Sequence, residues 1–213
     1  MEFLPKQIER YALEHTAKEN ELLEKLNRET WAKVMTPRML SGHMQGRVLS
    51  LFSKLVSPEN ILEIGTYTGY SALCLAEGLN KNGQLHTIDC NEEVMQIANR
   101  YFGQSDYSEN IVPHIGNALE IIPTLDKVFQ LVFIDADKEN YCNYFDLVFD
   151  KIALGGIIIS DNVLWSGKVV EKVKDEETES LVAFSKKAQQ DERVENILMP
   201  IRDGLMICRK ISS

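Results

Sequence analysis

Two short apolar runs end in acids: Leu131-Val132-Phe133-Ile134 leads into Asp135, and Ile157-Ile158-Ile159-Ser160 leads into Asp161-Asn162. Each run is continuous and rich in β-branched residues, the pattern of a strand covered on both faces in a parallel sheet. Such strands are buried, so a carboxylate at the last residue marks the point where the sheet opens to solvent. In open α/β sheets that carboxyl edge is where ligands bind. Neighbouring strands lie about 4.8 Å apart; if the two runs pair, Asp135, Asp161 and Asn162 converge on one small volume. Three oxygen donors without His or Cys suit a hard cation, Mg2+ first and Ca2+ or Mn2+ after it, better than zinc or copper. The alternative is that these residues only terminate strands and cap the helices that follow.

A second constellation is the loop Glu63-Ile64-Gly65-Thr66-Tyr67-Thr68-Gly69-Tyr70-Ser71, which follows a strand and opens a helix. Two glycines four apart allow a tight turn and close backbone approach, but the third glycine of the dinucleotide fingerprint is missing, which argues against a pyrophosphate cradle. Asp89 closes the next strand, 24 residues after Gly65, where a carboxylate can accept hydrogen bonds from both hydroxyls of a ribose. Together they point to a bound nucleoside. Lys138, three residues beyond Asp135, can serve as a proton acceptor or be a solvated lysine at a helix start. Trp165, in a loop after Asp161, can wall one side of an aromatic substrate or cover the core. His15, His43, His86 and His114 have no metal-ligand spacing and read as ordinary surface or core histidines, with His43 placed to lie near the cofactor.

The elements that must position these residues alternate. A broken apolar stripe of Ile8, Tyr11, Leu22, Leu23 and Leu26 predicts one amphipathic surface helix over 7–28, and a second helix carries Val48 to Leu55 up to Ser57-Pro58. Strands are expected at Asn60–Ile64, Gln84–Asp89, Ile111–Ile115, 130–135 and 155–161, with helical periodicity between most of them. That alternation means an α/β fold with a doubly wound, mostly parallel sheet. Runs at 194–200 and 205–209 are joined through Arg202-Asp203-Gly204, a turn signal for an antiparallel C-terminal hairpin that closes one edge and brings the sheet to seven strands. The charged stretch 168–179 reads as a mobile surface loop entering a helix. A single domain over 1–213 is expected, with a helical segment at 1–57 and the sheet core at 58–213.

The formal net charge of −9 disfavours a broad grip on nucleic acid or an anionic membrane and makes a small molecule the expected partner. Cys74, Cys90, Cys142 and Cys208 form no CxxC pair and are expected as reduced, packed thiols. Met1 to Lys6 lack a charged segment followed by an apolar core, and no run reaches transmembrane length, so a cytoplasmic location is expected.

The blocks MLSGHMQG at 39–46, EIGTYTGYS at 63–71, TIDCNEE at 87–93, FIDADKENY at 133–141, DNVLWSGKV at 161–169 and IRDGLMICRK at 201–210 stand in one order. In that order they resemble the cation-dependent O-methyltransferases of the catechol and caffeoyl-coenzyme A type, which use S-adenosylmethionine. The resemblance covers about residues 36–210. It implies a Rossmann-like methyltransferase fold and a small catechol-like aromatic acceptor. It also implies that Glu63, Gly65 and Ser71 contact the methionine part of the cofactor, with Tyr67 of the same loop and Asp135 also counted to the cofactor site. Asp89 would hold the ribose, Met39 and Ser41 would close over the cofactor, and Gly116, Asn117 and Ala118 would lie beside the adenine. Asp135, Asp161 and Asn162 match the divalent-cation ligands, and Lys138 matches the lysine beside the substrate hydroxyl, so that Lys138 and Asp135 are the implied catalytic pair. Lys138 and Trp165 would border the substrate. Ala136-Asp137 replaces the His-Trp pair of the catechol branch, and DNVLWSG is closer to the caffeoyl-coenzyme A branch, which leaves the acceptor open. A tRNA hydroxyl as acceptor and a nucleoside-binding protein without turnover are the alternatives; a homodimer is the family-level expectation.

Overall fold

Seven strands, β1 (Asn60–Ile64), β2 (Gln84–Asp89), β3 (Ile111–Ile115), β4 (Phe129–Ile134), β5 (Ile152–Ser160), β6 (Val194–Met199) and β7 (Leu205–Lys210), form one sheet in the order β3-β2-β1-β4-β5-β7-β6. They are drawn from a computed structural model that describes residues 5–213, so most of the stretch read for a leader, Met1 to Leu4, lies outside the described residues. The first five strands are parallel; β7 runs antiparallel to β5, and β6 pairs with β7. The strand order reverses between β1 and β4, which places a topological switch point, and hence a crevice, at their carboxyl ends.

Alternation along each strand builds two cores. Ile61, Leu131, Phe133, Ile157 and Ile159 point to one face and pack with Leu49 of α3 (Gly42–Val56), Leu75 of α4 (Tyr70–Ala76) and Met95 of α5 (Glu92–Phe102). Leu62, Ile64, Val132, Ile134 and Ile158 point to the other, against Ile122 of α6 (Ala118–Thr124), Phe145 of α7 (Tyr141–Phe149) and Phe184 of α8 (Glu176–Gln190). Each fully buried aliphatic or aromatic side chain contributes about 1.5–3 kcal/mol. The central strands are therefore fixed from both sides, and only their ends are free to carry polar groups.

The single N-terminal helix expected over 7–28 is two helices, α1 (Lys6–Glu14) and α2 (Glu21–Lys33). The break has a local cause. Asn20 caps α2, its side chain accepting from the Leu23 amide at 2.9 Å. Leu23 and Leu26 are buried, whereas α1 buries no residue at all. The apolar stripe was thus two unrelated stripes. The five-residue loop after β6 is held by Leu164, whose amide donates to the Asp203 carbonyl at 2.8 Å. The charged stretch 168–179 is shared between a 3-10 turn at Trp165–Val170 and the first turn of α8. Cys74 and Cys208 are buried as expected, but Cys90 is exposed, because it is the first position past the end of β2 and lines the crevice rather than the core. Among the described residues no helix is long and apolar enough to cross a membrane.

Candidate active site

The backbone ladder continues one residue past each strand. The Gly116 amide donates to the Asp89 carbonyl, Gly65 to Ile88, Asp135 to Ile64 and Asp161 to Ile134, all at 2.8–2.9 Å. This staircase brings the residues that follow β3, β1, β4 and β5 to one edge, and Ile134 paired with Ser160 sets Asp135 beside Asp161. A cleft of about 1750 Å3 opens there. Met39, Ser41, Gly65, Tyr67, Ser71, Asp89, Gly116, Asn117, Ala118, Asp135, Lys138, Asp161, Asn162 and Trp165 all line it, as does His43. Glu63 does not. It is fully buried, behind the cleft wall rather than in it.

On the β1–β2 side the cleft is a cradle of backbone. Gly65 has φ of +99°, and a Cβ there would sit 1.9 Å from the carbonyl oxygen of Asp135, so nothing larger lets the loop lie against the end of β4. The turn aims the Tyr67 amide at Asp89 Oδ2, 2.8 Å away, while the Asn91 amide donates to Oδ1 at 2.9 Å. Asp89 is thereby fixed by two backbone donors, and each oxygen keeps a lone pair for a further donor such as a ribose hydroxyl. Tyr67 itself is left-handed (φ 50°), and its hydroxyl donates to the Thr36 carbonyl at 3.0 Å, tying the glycine loop to the segment that carries Met39 and Ser41. Asn117 caps α6 through the Leu119 amide at 3.0 Å. Behind the wall, Glu63 accepts from Thr87, and burial pushes its carboxyl up to about 8.

On the β4–β5 side the groups are charged. Asp161 is 3 % exposed. Burial, and then the negative charge of Asp135, push its carboxyl up to about 7. Its Oδ1 accepts from the Asn162 amide at 2.7 Å and its Oδ2 from Gln45 of α3. Asn162 is left-handed (φ 59°), which turns the chain sharply at the strand end. Lys138 stands not on a helix but in a 3-10 turn, Lys138–Asn140, and only 6 % of it is exposed. Its Nζ donates to Asp135 Oδ1 at 3.0 Å and to the Tyr141 hydroxyl at 2.8 Å. Trp165 lies over it, with Nζ 5.7 Å from the ring centroid, and Lys168 is 5.9 Å from the same ring.

The comparison with family models matches residues 13–211 to a model described as O-methyltransferase. The chain belongs to this O-methyltransferase family. Caffeoyl-CoA O-methyltransferase 1 of Arabidopsis thaliana is 33% identical over 201 residues, 87% of this chain and 76% of that protein. Caffeoyl-CoA O-methyltransferase of Medicago sativa is 31% identical over 207 residues, 91% of this chain and 83% of that protein. Among solved structures, the O-methyltransferase TomG from Streptomyces achromogenes, involved in tomaymycin synthesis and crystallised in complex with SAM, superposes with a TM-score of 0.88 at 27% identity, covering 97% of this chain and 96% of that one. The O-methyltransferase from Bacillus cereus in complex with SAH gives 0.89 at 25% identity, covering 96% and 97%.

The cleft thus has two adjoining walls, a backbone cradle around Asp89 and a buried polar corner. Among the described residues no three His, Cys, Asp or Glu side chains form a metal-holding group. The candidate set is two carboxylates and one amide. It fits a hard divalent cation on its chemistry: oxygen donors only, with one acid buried against another so that a positive charge between them would relieve both burial and repulsion. Two partners in this corner carry no sequence signature of their own. Gln45 sits on the buried face of α3, one turn before Leu49, and Tyr141 is fully buried, three residues after Lys138. That face of α3 also buries Ser50 and Ser53, so one more polar residue on it gives no signal in the sequence.

Proposed function

We propose that this O-methyltransferase transfers the methyl group of S-adenosylmethionine to a hydroxyl of a small, catechol-like aromatic acceptor, with a divalent cation, Mg2+ by preference, held by Asp135, Asp161 and Asn162. The observation that carries this reading is the pairing of Asp135 with a buried, repelled Asp161 at the strand ends adjoining the Gly65–Asp89 cradle. Asp89 would take the ribose hydroxyls, Gly65 and Ser71 the methionine end, and Gly116 to Ala118 the adenine side. Met39 and Ser41 would border the bound nucleoside from the opposite rim. Trp165 would lie against the acceptor ring.

When bound, the cation supplies Lewis acidity that lowers the pKa of a vicinal hydroxyl. With the cation's charge beside it Lys138 would rest as the neutral amine, and its Nζ then takes the hydroxyl proton as the oxygen–carbon bond forms and the sulfur–carbon bond breaks. The products are the methyl ether, S-adenosylhomocysteine and the Lys138 ammonium. Asp135, 3.0 Å from Nζ, stabilises that ammonium. The direct displacement needs no covalent enzyme intermediate, so the walls act mainly by holding oxygen, methyl carbon and sulfur in line.

The test is methyl uptake from labelled S-adenosylmethionine by a panel of catechols, flavonoids, hydroxycinnamoyl thioesters and unmodified tRNA, with and without chelator. Uptake by an ortho-diphenol that chelator abolishes and Mg2+ restores is the expected result, with Asp161→Asn inactive. Uptake that is indifferent to chelator, or confined to tRNA, overturns the reading.

A further inference from the structure

The hydroxyl of Tyr141 sits where the two acid-bearing strand ends meet. Its oxygen is 3.0 Å from the carbonyl of Asp161 and 3.4 Å from that of Ile134, the last residue of β4, and 2.8 Å from Lys138 Nζ. A phenol has one proton to give. The two nearby carbonyls can only accept, so the proton is committed to the strand ends. The oxygen is left as an acceptor, and Lys138, which can only donate while charged, fills that place. The ring is immobilised as well: Tyr141 is 0 % exposed and packs edge-to-face on Phe184 of α8, with centroids 5.5 Å apart. Lys138 Nζ is thus held between a movable partner, the Asp135 carboxylate, and a fixed one.

We infer that Tyr141 is a positioning residue for methyl transfer, holding the Lys138 amine over the cleft through its hydroxyl while that hydroxyl is itself anchored to the end of β5. The inference rests on the proposed role of Lys138. Tyr141 is closed off from solvent and does not line the cleft. Without the hydroxyl, Lys138 keeps Asp135 and the faces of the Trp165 and residue-141 rings but no fixed hydrogen-bond acceptor, so the amine no longer has one place relative to the acceptor oxygen. A positioned proton acceptor is worth about 10²–10⁴-fold in rate, and displacing it should forfeit part of that factor.

The experiment compares Tyr141→Phe, Phe184→Leu and Lys138→Met in the full-length enzyme. Three readouts are taken: kcat and KM for both substrates, Tm, and the rate at which an N-hydroxysuccinimide ester labels Lys138, mapped by mass spectrometry. Tyr141→Phe should lower kcat about tenfold or more with both KM values within about threefold of wild type, the pattern of a loss felt in the transition state alone, and should speed the labelling of Lys138. Phe184→Leu, which loosens the ring but leaves the hydroxyl its two carbonyl acceptors, should lower Tm at least as far and lower kcat by clearly less than Tyr141→Phe does. Equal losses of kcat in the Tyr141 and Phe184 variants, or unchanged kcat and labelling in Tyr141→Phe while Lys138→Met is impaired, overturn the inference and leave the role of Lys138 standing. Full activity in Lys138→Met removes that role and the inference with it.

Discussion

Glu63 and Gly65, two residues apart, fail in opposite ways when changed. Glu63 is an acid in a place without water: burial raises its carboxyl from the ordinary 4.5 to about 8. A raised folded pKa means that the folded protein holds the proton more tightly than the unfolded chain, so this stability is complete below about 4.5 and is lost as pH rises through about 8. Glu63→Gln keeps the shape and removes the titration. Its melting temperature should therefore fall less than that of the wild type between pH 5 and pH 9, a difference that scanning calorimetry reads directly; parallel curves would mean that Glu63 is ionised in the fold. At Gly65 the fault is steric. A Cβ at φ +99° would stand 1.9 Å from the carbonyl of Asp135, and overpacking of this kind costs about 1–3 kcal/mol. Because the displaced atom belongs to the end of β4, Gly65→Ala should fold with a lowered Tm yet weaken S-adenosylhomocysteine binding by about tenfold or more, the equivalent of about 1.4 kcal/mol of that strain. Calorimetric affinity equal to wild type would show that the cradle tolerates the shift.

Elements are joined here by polar contacts as much as by the core, and the join of α3 to α4 is the clearest. Glu77, just past α4, would be raised by burial alone, but hydrogen bonds from Arg47, Lys54 and Ser50 of α3 hold its carboxyl down at about 2. Arg47 and Glu77 are only 14% and 11% accessible, so removing one strands the other. Glu77→Gln should cost about 3–5 kcal/mol at pH 7, with the gap to wild type closing as pH drops from about 4.5 toward 2, and with turnover per folded molecule unchanged at low temperature, since neither residue lines the cleft. None of this was legible beforehand, because a partner 30 residues away has no periodicity. What was legible follows from burial. The runs of β1, β2 and β3 were readable to the residue because polar or glycine residues bracket each, whereas β5 starts three residues earlier than the Gly155 signal suggested: Gly155 and Gly156 part the apolar Ile152-Ala153-Leu154 from the run that follows. Of the candidate site, the strand-end residues were readable since period and chain position locate an edge. The side chains that hold them, Gln45 and Tyr141, were not, since their roles exist only across elements.

Taken whole, the molecule carries its site in a cleft too large for one ligand. Pockets for a single small molecule run to about 300–1,000 Å3, whereas this one is about 1750 Å3, room for donor and acceptor side by side. The donor side is built on strand ends, which the two cores hold rigidly. The outer wall is different: Glu9, Ala12 and Leu13 of α1 line the cleft, yet α1 fully buries no residue, and beyond its end His43 meets the Ala17 carbonyl at 2.7 Å. A helix whose apolar residues are at most partly buried, as Ala12 and Leu13 are, contributes little to global stability and opens locally at low cost. Removing residues 1–14 should therefore leave Tm within about 2 °C of the full chain and leave S-adenosylhomocysteine affinity intact, because Asp89 takes its backbone donors from Tyr67 and Asn91 and not from α1. What changes is the acceptor space. With the wall gone, KM for a small catechol should rise severalfold while that for a bulky thioester changes less, since the larger molecule fills the cleft from the strand ends outward. A uniform loss of donor and acceptor binding on truncation would mean instead that α1 holds the cleft in shape, and that the N-terminal segment belongs to the folding unit despite its exposed sequence.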